Sequence, residues 1–245
     1  TRLKICLRRI KMLKKLTGKA LIHTILIITS LLSIFPFIWL TSTSLKGLGE
    51  DIFAYPPHLI PSDFTWANYV DVWHRVNFMG YFWNSVIVAA LTVILNLVLS
   101  SLAAYPLARM SFRGKKFVFF AILATIMIPF QAIMLPVYII TLKLHLIDSV
   151  NNVMGYIGLV MPFAVSAFGI FLMRQAFIKV PKEVEEAAIV DGCNVFQMFT
   201  RVVIPMVKPT LAVLAVFTFI GSWGEFLWPS IMLTKDAMYT LPVGI

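Results

Sequence analysis

The chain has 245 residues, 60% of them hydrophobic and 13% charged, with a formal net charge of +10. A soluble domain holds about 45–50% apolar and about 25% charged residues, so a mean hydropathy of +0.88 excludes an ordinary soluble globule. The basic residues lie between long apolar runs instead of clustering with readout residues, which sets aside a nucleic-acid-binding module despite a pI near 9.8. The expected fold is an all-α integral membrane protein, a polytopic helix bundle.

Residues 1–19 carry eight basic side chains and no acid. Leu3, Leu7, Ile10 and Leu13 recur there at helical spacing, which predicts a basic amphipathic helix on the inner leaflet. The apolar run over 20–40 is too long for the core of a signal peptide, and no A-x-A site follows it. His23, near its inner end, reads as a packing residue. The stretch 13–20 ends in Gly18-Lys19-Ala20 and lacks both the first Gly and the Ser/Thr of a phosphate-binding loop. Lys19 is better read as a leaflet anchor, and no ATP site is expected in this chain.

The loop over 44–80 holds Glu50, Asp51, Asp63 and Asp71 among Pro56, Pro57 and Pro61, so it reads as ordered but irregular. Four further apolar stretches follow, at 81–107, 117–142, 153–173 and 210–233. Each is long enough to cross a hydrocarbon core of about 30 Å, which gives five visible spans. None alternates with period two, so a barrel is rejected.

Seventeen of the 21 basic residues fall in the leader and in the second and fourth connections, leaving only Lys46, Arg75, Lys143 and Lys235 on the other side. The positive-inside rule then places the N-terminus in the cytoplasm. Cys6 and Cys193 both fall on that side, so a disulfide is not expected, and no metal-ligand cluster is evident. An odd number of spans predicts a sixth helix beyond Ile245.

The fourth connection, 174–205, reads RQAFIKVPKEVEEAAIVDGCNVFQMFTRVVIP and is the one cytoplasmic segment with acids. Pro181 suits the first turn of a helix, where its missing N–H costs nothing. Glu183, Glu185 and Glu186 favour the positive end of that helix, and Ala187 and Ala188 keep one face flat. Gly192 is expected to end it as a left-handed cap. Asn194 is expected to cap a second helix running through Pro205 into the last span. A short helix with a small-residue face and a fixed acid suits docking in a cleft of another protein; the plainer reading is an amphipathic connector.

Polar groups inside a membrane need partners, so they are candidates for function. Glu225 is the only acid within an apolar span. It either lines or gates a pathway, pairs between helices, or sits at the outer interface. Trp223 beside it is a further pathway candidate; Asn84, Asn96 and Gln131 are weaker ones, since amides more often join helices. Pro106, Pro129, Pro136, Pro162 and Pro229 are expected to kink helices where backbone lines a cavity. No paired carboxylates and no nucleophile–base set support an enzyme.

Glu186-Ala187-Ala188, three residues, Gly192, nine residues and Val202-x-Ile204-Pro205 resemble the EAA loop of ATP-binding-cassette importer permeases, consensus E-A-A-x3-G-x9-I-x-L-P. NSVIVAALTVILNLVLSSLAAYPLARMSFRGKK, MIPFQAIMLPVYII, GEFLWPSIML and YTLPVGI resemble its carbohydrate-importing, maltose-type branch. The resemblance implies the type I importer transmembrane fold. It implies a permease core over 81–245, with residues 1–80 forming the basic leader, the first helix and an external loop. Glu186, Ala187, Ala188, Asp191, Gly192, Ile204 and Pro205 would couple to the ATPase, with Glu186 facing a basic residue there. The loop after Thr234 would reach toward a binding protein, and the family often has Asn where Gly224 stands. The implied partners are a second homologous permease, two cytoplasmic ATPases and an external solute-binding protein, in a bacterial inner membrane. ATP and Mg would be bound by the ATPases, with no cofactor in this chain. The pathway suits sugars, sugar alcohols or related polar osmolytes. Two other readings stay open on the residues alone: an ion-coupled secondary transporter using Glu225, and a membrane docking or sensor protein.

Overall fold

The computed structural model describes residues 2–47, 49–52, 58–147 and 152–245, with side-chain environments from Gly18 onward apart from that of Asn152. Cys6, Pro56, Pro57 and the apolar spacing of the leader fall outside those limits. The described residues are helical, with a lone antiparallel bridge between Lys46 and Phe64. They form two units, Thr1–Arg75 and Val76–Ile245. The first helix of the second unit starts at Phe78, where Asn77 Oδ1 accepts the Gly80 N–H at 3.2 Å.

In the first unit, α1 runs over Arg2–Ser44. Its apolar side chains point outward without protein cover, Leu32 and Phe37 each being 69% exposed, as expected of a lipid-facing helix. The hydroxyls of Thr24, Thr29, Ser33 and Thr41 donate to the carbonyls of Ala20, Ile25, Thr29 and Phe37 at 2.8–3.0 Å, so each is satisfied within the helix. The loop after it is ordered by its polar groups. Lys46 is buried, 3.6 Å from Glu50 and over the Trp39 ring. Asn68 Nδ2 donates to the carbonyls of Ser44 and Lys46. Asn68 lies on α2, Ala67–Arg75, a short helix within a loop expected to be irregular.

The second unit is built on α3, Phe78–Arg109, a single helix long and apolar enough to cross a membrane. Its inward face is polar and small: Asn84, Ser85, Thr92, Asn96, Ser100 and Ser101 are all buried. Such a face lets helices approach closely where lipid offers no hydrophobic drive to associate. It packs chiefly on α7, Ala167–Lys179, and on α10, Lys208–Trp223. Gly169 marks a close approach of α7 to α3, since a Cβ there would lie 2.7 Å from the Ser100 hydroxyl and from that of Ser166 in its own cap.

Three expected spans are broken helices. The span over 117–142 is α4, Lys115–Thr125, and α5, Phe130–Lys143, which meet at 97°. Pro129 supplies no N–H and disfavours helical backbone at Ile128, which ends the first and starts the second. The span over 153–173 is α6, Asn152–Val160, extended by a tight turn at Met161–Phe163, then α7 at 59° to it. Pro162 lies in that turn, and Ser166 Oγ accepts the Gly169 N–H to restart the helix. The span over 210–233 stops at Trp223 and resumes as α11, Leu227–Met232. Among the described residues two helices are long and apolar enough to cross a membrane, and up to five spans result when each bent pair counts as one, the third pair being Val195–Met206 with Lys208–Trp223.

Two apolar clusters fill the unit. One gathers Tyr105, Met173, Phe177, Phe199, Val203 and Leu214, with the Tyr105 ring 5.8 Å from Phe177 and 5.1 Å from Phe199. The other surrounds fully buried Trp228, whose indole N–H donates to Gly158 O at 3.2 Å. The last residues are fastened to the start of α3: Tyr81 donates to Asp236, Asn84 to the carbonyls of Ala237 and Tyr239, and the Leu241 N–H to Ser85.

Candidate functional site

The 174–205 connection forms α8, Lys182–Val190, a tight turn, and α9, Val195–Met206. Pro181 stands at the N-cap, one position before the expected first turn, and Glu183 and Glu185 occupy that turn. At the other end Cys193 N–H bonds to Ala188 O at 2.9 Å and Gly192 N–H to Ile189 O at 3.0 Å. These are the two bonds of a Schellman closure, which needs left-handed backbone at Gly192, where φ is +81°. A Cβ there would meet nothing within 4 Å, so backbone conformation and not crowding selects glycine. Asn194 and Gln197 then cap each other's backbone N–H groups reciprocally at 2.8 and 3.0 Å. The helix runs through Pro205 as expected, but it does not continue straight into the last span. It contains a π-helical stretch at Met198–Val203 and turns by 78° at Val207 into α10.

Arg109, the last residue of α3, lies 2.7 Å from a Glu185 carboxylate oxygen, and its guanidinium also donates to Val180 O. Arg174 donates to Leu107 O at 3.0 Å and stacks on the Phe119 ring at 4.0 Å. Arg174 at the start of the loop and Glu185 within it are thereby bound to the end of α3. Ala188 is turned inward and buried, while Glu186, Ala187, Asp191 and Gly192 are exposed. Ile189, Val190, Val195 and Phe196 stand 58–86% exposed beside them, an apolar surface next to the carboxylates of Glu186 and Asp191. Ile204 is half-buried against the Tyr105 cluster and Pro205 is exposed.

A cavity of about 610 Å³ opens between α3, α4, α5, α7, α10 and α11. Ser85, Thr92, Asn96, Thr218, Ser222 and Glu225 supply its polar lining, and Phe130, Phe163, Phe168 and Phe217 its aromatic wall. Glu225 sits in the break between α10 and α11, where its Oε1 accepts the Trp228 N–H at 3.1 Å. It therefore caps a helix that begins at the cavity wall, a role no sequence spacing announced.

The other pathway candidates are placed differently. Asn84 lies outside the cavity lining: its amide donates to Ala237 and Tyr239, and its oxygen accepts from Tyr156 at 2.7 Å. Gln131 is exposed on α5, and Trp223 packs against Phe82 and Phe219. Asn96, an amide candidate like Asn84 and Gln131, reaches the cavity while donating to Phe163 O at 3.0 Å. The reading from sequence did not single out Arg109 with Glu185, or the hydroxyls of Thr92, Thr218 and Ser222. An isolated basic–acidic pair 76 residues apart carries no local signal. Among the described residues no group of three metal-ligating side chains converges.

Bent apolar helices around a polar-lined cavity, with a short capped helix presented on a connecting loop, define a membrane transport subunit. The chain belongs to the family of binding-protein-dependent transport system inner membrane components, whose model matches residues 96–245. It is 34% identical over 225 residues to the arabinooligosaccharides transport system permease protein AraQ of Bacillus subtilis, covering 88% of this chain and 75% of that protein. It is 30% identical over 227 residues to the diacetylchitobiose uptake system permease protein NgcG of Streptomyces coelicolor, covering 92% and 73%. With the sn-glycerol-3-phosphate transport system permease protein UgpE of Yersinia enterocolitica it shares 34% identity over 231 residues, covering 91% and 79%. A solved bacterial ABC transporter involved in the import of the acidic polysaccharide alginate superposes with a TM-score of 0.76 at 28% identity, over 90% of this chain and 75% of that one.

The protein is thus a permease subunit of an ATP-driven importer with the type I transmembrane fold, an inner-membrane component. This decides against the ion-coupled transporter and the docking or sensor protein that the residues alone left open.

Proposed function

We propose that this chain forms half of the pathway for a sugar or related polar solute and is driven through α8 by a cytoplasmic ATPase. In this reading the N-terminus and the 174–205 loop face the cytoplasm, which the distribution of 17 basic residues against four supports. Glu186, Ala187, Ala188, Asp191, Gly192, Ile204 and Pro205 form or support the docking surface. Two ATPases hold ATP and Mg, a second permease completes the pathway, and a binding protein delivers solute outside. The observation that carries the proposal is the exposed patch of Ile189, Val190 and Phe196 around Glu186, on a helix closed at Gly192 and tied to α3 through Glu185. Closing the ATPases displaces α8, and the Arg109–Glu185 pair passes the displacement to the helix that carries the cavity's polar face.

The solute class is supported by the cavity lining of hydroxyls, an amide and aromatic rings with one carboxylate. The chain's similarity to arabinooligosaccharide and diacetylchitobiose permeases supports it further. Glu225 and Asn96 are the pathway residues that the cavity favours, ahead of Asn84, Gln131 and Trp223.

The test is uptake and ATPase co-purification in a reconstituted complex carrying Glu186→Lys or Gly192→Asp. Reversing a docked charge is expected to weaken coupling by about tenfold or more. Unchanged ATP-dependent uptake with the ATPase retained in both variants contradicts the docking assignment.

A further inference from the structure

A second concavity, of about 560 Å³, lies where α3 ends and α4 and α8 begin. Ala108, Met110, Ser111, Phe112 and Gly114 form its floor and sides, and Arg109, Lys115, Lys116 and Lys182 bring four cations to it with no acid in the lining. Arg109 is neutralised by Glu185. The Lys115 ammonium is held by the carbonyls of Ala108 and Met110 at 3.1 and 2.8 Å, which fixes its position and leaves its charge. Three uncompensated positive charges thus converge on one hollow, with Lys116 and Lys182 exposed. The surroundings are apolar on one side: Phe117 is 78% and Phe120 65% exposed on α4, immediately beyond the cations.

We propose that this hollow binds the phosphate of an anionic phospholipid, with Lys116 and Lys182 as its principal ligands. Cations concentrated where an apolar helix begins match a headgroup whose chains lie along that helix. A freely diffusing phosphate offers the same charge but has no use for the exposed Phe117 and Phe120. Because Lys182 opens α8 and Arg109 closes α3, the bound headgroup spans the two elements that the Arg109–Glu185 pair joins. Binding itself does not depend on α8 contacting an ATPase.

The test is retention of phosphatidylglycerol by the purified full complex, read by native mass spectrometry after exchange into detergent with phosphatidylglycerol and phosphatidylcholine. Wild type is expected to retain phosphatidylglycerol in preference to phosphatidylcholine. Removing two cations in K116Q/K182Q is expected to weaken that retention by about thirtyfold. The control K179Q/R201Q, which removes two exposed cations elsewhere on the same connection, is expected to leave it unchanged. Equal retention by K116Q/K182Q and wild type overturns the proposal, and equal loss in the control reduces it to diffuse surface charge. Displacement of the lipid by inorganic phosphate with no preference for the lipid assigns the hollow to a free anion and overturns the lipid assignment.

Discussion

The guanidinium of Arg109 and the carboxylate of Glu185, 76 positions apart, stand 2.7 Å from each other with side chains only 9% and 15% exposed. At that burial each charge depends on the other, and removing one leaves its partner uncompensated. Arg109→Ala or Glu185→Ala alone is expected to destabilise the protein by about 3–5 kcal/mol, read as a lowered midpoint of thermal unfolding in detergent. The exchange R109E/E185R is expected to recover only part of the loss, because Arg109 also serves Val180 O. Single variants that unfold like wild type would remove this pair from the account.

Gly169 on α7 faces Ser100, Ser166 and Asn96 on a surface with no room for a methyl group, a built Cβ lying 2.7, 2.7 and 3.0 Å away. Gly169→Ala is expected to cost about 1–3 kcal/mol through overpacking. Gly221→Ala, where a Cβ meets nothing within 4 Å, is the matched control and is expected to be neutral or slightly stabilising. Thermal unfolding of the two variants side by side checks the contrast.

Much of this was legible in advance, and the reason differs by element. The number of apolar stretches and the closure at Gly192 could be read because hydropathy and left-handed backbone leave local marks. Pro129 and Pro162 announced kinks, but not that α4 and α5 meet at 97°, since a bend angle is set by what each half packs against. Glu225 stood out by its charge, whereas its bond to the Trp228 N–H depends on a helix starting two residues later inside a hydrophobic run. Asn84 was selected for polarity alone, and only the tertiary fold reveals its amide bound by Ala237, Tyr239 and Tyr156.

Glu225 combines a capping bond with a place on the cavity wall, and two substitutions separate these roles. Glu225→Gln keeps an oxygen acceptor and is expected to retain stability while changing the apparent KM of uptake. Glu225→Ala loses the cap as well and is expected to cost about 1 kcal/mol of stability. Identical uptake kinetics for Glu225→Gln and wild type would restrict Glu225 to its capping role.

In the loop after α1, burial pushes the Glu50 carboxyl up, but the N–H groups of Ser62 and Asp63 and the Lys46 ammonium together hold it below its ordinary value of 4.5. A lowered folded value means that the carboxylate's contribution is present above the unfolded value and is lost as pH falls through the folded one. The loop over 46–63 is therefore expected to become more susceptible to protease only as pH drops below 4.5. Glu50→Gln is expected to remove that dependence. An opening transition between pH 6 and 8 in the wild type, abolished by Glu50→Gln, would contradict the sign.

The central claim is that α8 faces the cytoplasm and touches an ATPase. The most direct measurement places a cysteine at exposed Ala187 in a C6S/C193S background and follows thiol labelling and crosslinking in cells and inverted vesicles. A187C is expected to be shielded from a membrane-impermeant reagent in intact cells, to react in inverted vesicles lacking the ATPase, and to crosslink to the ATPase when it is present. Labelling from outside intact cells, or free reactivity with the assembled ATPase and no crosslink, would contradict it.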